Sequence, residues 1–158
     1  MNTNVAELLY PKSASKEISF MFYNYKKINK LIENRRETIM DRMNGSTRAW
    51  LKGINQSSNS FEDIIIKLDE DRVINRYKHW NEFLSSFFNI LKTYERPIYY
   101  RFIVLKYFKN LDNEEIMEIL NVNKNQLRDI KTKVIWLTYK YAIKDKLFEL
   151  EVQNNVAL

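Results

Sequence analysis

The stretch LDNEEIMEILNVNKNQLRDIKTKVIWL, residues 111–137, decides how the chain is read. Its first half is acidic and amphipathic. Asp112, Glu114, Glu115 and Glu118 carry charge without a single base, and Ile116, Ile119 and Leu120 recur at helical spacing. After Asn123 comes a string of long polar side chains. Asp112 and Glu115 have the spacing of a capping box, Val122 is the apolar residue of a turn, and Asn123 can cap again. The pattern predicts a short helix, a tight turn and a second helix over about 124–148.

That second helix divides by face. Leu127, Ile130, Val134, Leu137 and Tyr141 line one side at steps of three and four. Asn125, Arg128 and Thr132 point the opposite way, with Asp129 beside them and Lys124, Lys131 and Lys133 on the flanks. Arginine can fork onto guanine, and Asn or Gln can pair bidentately with adenine. Lysines suit phosphates, which position a helix without reading sequence. The bland reading of these residues is a solvated helix face. Against it stand the short capped turn, the clustering in the first two turns and a switch of sign. Residues 112–118 carry four acids and no base, whereas residues 124–146 carry seven bases against Asp129 and Asp145. The reading that follows is a helix-turn-helix for double-stranded DNA, with Lys124, Asn125, Gln126, Arg128, Asp129, Lys131, Thr132 and Lys133 as the DNA-binding candidates.

Working outward, the 158 residues contain only two glycines and two prolines, which argues for long helices and an all-α fold. The 26 Lys and Arg against 20 Asp and Glu leave a mild excess of +6, the sign that favours polyanions. There is no cysteine and one histidine, His79, so disulfides, thiolate chemistry and a histidine-built metal site are excluded. Gly45 and Gly53 make no phosphate loop, and no nucleophile–base set can be assembled around His79, so an enzyme is not expected. The acidic run Asp69, Glu70 and Asp71 reads as solvated charge rather than a cation site, and no cofactor is expected. No apolar run reaches about 18 residues and the first residues lack a signal-peptide pattern, so a cytoplasmic protein off the membrane is expected.

The remaining chain predicts a flexible arm at 1–14, a helical module at 15–94, a helix-turn-helix domain at 95–150 and a flexible tail at 151–158. Within the module, Ser15 is expected to cap a helix over 15–43. Ile18, Tyr25, Ile32 and Ile39 recur there every seven residues, widened by Phe22, Ile28 and Met43, with Lys26, Lys27, Lys30, Arg35 and Arg36 on the other side. Residues 44–60 hold both glycines and a Ser/Asn cluster, and read as a loop. A helical stretch over 61–94 pauses at KLDEDR, residues 67–72. Val73, Tyr77, Trp80, Leu84, Phe87, Leu91 and Tyr94 then form a 4-3 seam. Such a seam suits two helices of one bundle or a homodimer, and its sequence does not separate the two. Pro97 is placed to open the next helix, with Ile98, Phe102, Leu105 and Phe108 on its buried side.

VLKYFKNLDNEEIMEILNVNKNQLRDIKTKVIWL, residues 104–137, resembles region four of bacterial sigma factors. Glu115, Ile116, Leu120 and Val122 match that family's pattern; Met117 stands where Ala is usual, Asn121 where Gly is usual, and Asn123 in place of Ser or Thr. By its layout of a long basic helix, a linker, a second helical stretch and a sigma-like C-terminal unit, the whole chain resembles the RinA/ArpU-type phage late-gene transcription regulators. The resemblance implies a DNA-binding activator of phage or prophage late genes in a bacterial host cell, with RNA polymerase as a further partner. Two other readings are a small terminase subunit that recognises phage DNA for packaging, and a sigma-like module that grips polymerase without reading DNA.

Overall fold

The computed structural model describes residues 10–51 and 61–149. Among them every regular element is helical: α1 (Lys12–Asn24), α2 (Ile28–Leu51), α3 (Phe61–Glu70), α4 (Arg72–Tyr94), α5 (Pro97–Ile103), α6 (Asn113–Leu120) and α7 (Lys124–Lys144). A 3-10 turn, Tyr25–Lys27, joins α1 to α2, and a π turn, Val104–Phe108, follows α5. The all-α expectation therefore holds over the described residues.

Several boundaries differ from the sequence reading. The first helix opens at Lys12, not Ser15, because Pro11 (φ −61°, ψ 144°) supplies the extended N-cap and its carbonyl accepts the Ser15 N–H at 3.1 Å. Residues 12–14 thus leave the expected arm, and Ala14 is buried. The helix expected over 15–43 is two helices. Asn24 turns its side-chain amide back to the Phe20 carbonyl at 2.8 Å, and the chain tightens into the 3-10 turn one residue later. The backbone of α2 then continues through Gly45 to Leu51, shortening the expected loop at 44–60; a glycine inside a helix costs only about 1 kcal/mol. The remainder of that loop, 52–60, and the tail at 151–158 lie outside the described residues. At the far end α7 stops at Lys144 rather than 148. Lys146 adopts a left-handed conformation (φ 61°), so that the Leu147 N–H returns to the Ala142 carbonyl at 2.9 Å and Leu147 itself is buried.

The chain forms two compact units. Among the described residues, one comprises those up to Tyr25 together with those from Phe83 onward, and the other those between Lys26 and Glu82. This differs from the expected division between 15–94 and 95–150, and aromatic packing is the reason. In the first unit, Phe88 of α4 gathers rings from all sides: Phe22 of α1 at 6.1 Å, Tyr25 at 4.9 Å, Phe87 at 6.2 Å, Tyr100 of α5 at 5.7 Å and Phe108 of the π turn at 5.7 Å. Tyr107, also in the π turn, meets Phe22, Tyr23 and Phe102. Burial pushes the Tyr107 hydroxyl up to about 12 against a hydrogen bond with Ser19 that lowers it. These contacts attach α1 and the second half of α4 to the C-terminal helices. The π turn also changes which side chains go inside. Tyr99, Phe102, Ile103, Leu105 and Tyr107 are buried, whereas Ile98 and Phe108 are only half-buried.

The inner members of the 4-3 seam, Trp80, Leu84, Phe87 and Leu91, are fully buried within one chain, while Val73 and Tyr94 at its ends are exposed. In the second unit, Asp71 is the single residue between α3 and α4. Its carboxylate accepts the Ile74 N–H at 3.0 Å, capping α4, and takes a forked pair of bonds from Arg35 of α2 at 3.3 and 3.1 Å. The acidic run read from sequence as solvated charge is thus partly structural.

Two outcomes are expected. Phe88→Ala should cost about 3–5 kcal/mol in urea unfolding, because the surrounding rings cannot all collapse into the space. The Arg35 guanidinium holds the Asp71 carboxyl below its ordinary value. The folded chain therefore keeps the carboxylate where the unfolded chain protonates it. The stabilisation is complete above about pH 4 and is lost as pH falls through the folded value. Asp71→Asn should lower stability at neutral pH and flatten this acid limb of a pH–stability curve.

Candidate nucleic-acid interface

The candidate surface starts with two consecutive caps. Asp112 and Glu115 form a full capping box: the Asp112 carboxylate accepts the Glu115 N–H at 2.9 Å, and the Glu115 carboxylate accepts the Asp112 N–H at 3.3 Å. Asn123 and Gln126 repeat it at the start of α7, at 2.8 and 2.9 Å. Between α6 and α7 lies a turn of three residues, Asn121, Val122 and Asn123. Asn121 sits in the left-handed region (φ 53°, ψ 52°), which lets the Val122 N–H reach the Met117 carbonyl at 3.0 Å. Asparagine tolerates this conformation because its short polar side chain can bond locally, so it does here what glycine does in tighter sequences. The α6 and α7 helices pack on each other, and both pack on α5.

The buried face of α7 is the expected one, with Leu127, Ile130, Val134 and Leu137 inside and Tyr141 half-buried. Beyond the second turn it widens. Ile135, Thr138, Tyr139 and Ala142 are also buried, and α1 and α5 both pack on this helix. The Thr138 hydroxyl is satisfied by the Val134 carbonyl at 2.7 Å.

Of the eight candidate residues, Lys124, Asn125, Gln126, Arg128, Asp129 and Lys131 are exposed. Thr132 and Lys133 are half-buried. All share the first three turns of α7. Gln126 has a second task, since its side-chain oxygen is held by the capping box. Among the described residues neither Arg128 nor Lys131 enters an ion pair, so both heads project into solvent. Lys133 places its ammonium 4.3 Å from the centre of the Trp136 ring, and Lys140 approaches the same ring at 5.1 Å. Trp136 and Lys140 were not among the sequence candidates. Their signal was the continuation of the outward spacing Asn125, Asp129, Thr132, Trp136, Lys140. Among the described residues no group of acids and histidine could hold a metal ion, and no helix is long and apolar enough to cross a membrane.

Compared with known family models, curated proteins and solved structures, the chain finds no match.

The turn geometry gives a direct check. Asn121→Gly should leave stability unchanged or slightly raised, whereas Asn121→Val should cost about 1–2 kcal/mol, because a β-branched residue resists a positive φ. Asn123→Ala should cost about 1 kcal/mol by opening the second capping box. Denaturant unfolding of the three variants reads all of these.

Proposed function

We propose that the chain is a sequence-specific DNA-binding transcription regulator in which α6 and α7 act as a helix-turn-helix. The observation that carries this reading is the exposed cluster Asn125, Arg128 and Lys131 at the start of α7, immediately after a capped three-residue turn. Residues 124–133 span about 14 Å of helix axis, at about 1.5 Å per residue. The major groove, roughly 12 Å wide, admits an α-helix, so these first turns of α7 can lie within it. Arg128 and Asn125 are the base-reading side chains, and Lys124, Lys131 and Lys133 meet phosphates. The resemblance to RinA/ArpU-type regulators supports activation of phage or prophage late genes in the cytoplasm of a bacterial host.

One observation favours a protein contact in addition. The α6 helix turns Glu114 and Glu118 outward beside Ile119, which is 48% exposed. An acidic face with an exposed isoleucine suits a basic protein surface better than a phosphate backbone, and RNA polymerase is the partner the sigma-like reading supplies. Co-purification with polymerase without any shift of DNA would favour that module over the regulator.

Arg128 and Lys131 separate base reading from backbone riding. Arg128→Ala should cost roughly 1–3 kcal/mol at the cognate site and relax preference at one base pair. Lys131→Ala should weaken binding to all sequences about equally and reduce the salt slope by about one. A titration series on specific and scrambled duplexes at several salt concentrations distinguishes the two. Equal, sequence-blind losses would mean that α7 only rides the backbone, and no loss for either would sink the DNA reading.

A further inference from the structure

The second unit carries a surface that the DNA reading does not use. The α3 helix has the sequence FEDIIIKLDE, with three successive isoleucines and a leucine. A helix of that composition ordinarily buries a stripe. Here no residue from 62 to 70 is fully buried, and Ile65 and Ile66 are 42% and 51% exposed. Beside α3 lies an open groove of about 500 Å³, formed with α2 and the start of α4. Its apolar lining is Ile39, Met43 and Val73.

Charge indicates what fits the groove. The α3 helix carries Glu62, Asp63, Asp69 and Glu70 against Lys67, a net of −3. The groove lining from outside α3 carries Arg35, Arg42 and Arg72 against Asp71, a net of +2. An acidic helix with exposed isoleucines and a groove with an apolar floor and an arginine rim are complementary. Both belong to the same unit of the same chain.

We propose that this groove is a homodimer surface that receives α3 of a second copy, each copy giving its α3 and taking its partner's. An exchange of this kind is isologous and closes as a two-fold dimer. It also relocates the dimer that the 4-3 seam suggests. Trp80, Leu84, Phe87 and Leu91 are consumed inside one chain, whereas Val73, the first member of the seam, lies in the groove and is 38% exposed. The inference stands apart from the DNA reading, since it uses no residue of α6 or α7.

Sedimentation equilibrium of the full chain over a wide concentration range tests it. Wild type should associate to a dimer. Ile66→Asp and Arg72→Glu, both at exposed positions, should each weaken dimerisation by about tenfold or more while circular dichroism stays unchanged. Tyr94→Ser, at the exposed far end of the seam, should leave the dimer intact. A wild type that stays monomeric throughout overturns the proposal, and so does a dimer that survives both groove substitutions or is lost on Tyr94→Ser. DNA titrations of the same variants report the regulator reading separately, so the two can fail independently.

Discussion

The ring of Phe88 holds together the unit that combines α1 with the C-terminal helices. It is 4% exposed and touches aromatic rings from α1, the 3-10 turn, its own helix, α5 and the π turn. Edge-on and tilted ring pairs contribute about 0.5–1.5 kcal/mol each beyond their area burial, and they fix angles as well as distances. Segments distant in sequence are thereby held at set orientations. The consequence reaches α7, because α1 and α5 pack directly on it. The candidate DNA-reading helix is thus buttressed by α1.

Backbone economy is the second constraint. With two glycines in all, and neither at a described left-handed position, the chain turns its corners with other residues. Asn110, Asn121 and Lys146 each take a φ between 53° and 61°. Each is followed by a long-loop bond from the next N–H: Leu111 to Leu105, Val122 to Met117 and Leu147 to Ala142. Two of the three are asparagines, the residue that best tolerates this region after glycine. Because the α6–α7 turn satisfies its own polar groups, it can stay short. A short turn fixes where α7 begins, and therefore which side chains occupy its exposed first turns.

The charges are arranged by unit. Acids face outward on α6 and α3, and bases cluster on the first turns of α7 and on the rim of the α2–α3–α4 groove. The ion pair of Arg35 with Asp71 serves geometry: it ties α2 to the joint between α3 and α4.

The features legible in the residues alone are local. Helical periodicity and scarce glycine set the all-α class, and the Asp112/Glu115 and Asn123 signals placed both ends of the α6–α7 turn, because capping is a matter of residues three apart. The exposed face of α7 was legible for the same reason: opposite faces of one helix follow from spacing alone. Tertiary structure decided the rest. That the stretch 15–43 splits at Tyr25, and that α1 joins the C-terminal helices, could not be read from a seven-residue repeat running evenly through the break. The ring contacts that draw Tyr25 and Phe22 to Phe88 span more than 60 positions, and periodicity carries no information at that range. The same holds for α3, whose composition does not tell which of its isoleucines are covered. Only the packing around them shows that Ile65 and Ile66 remain exposed while Ile64 is half-buried, since burial depends on which surfaces the rest of the chain brings to meet them.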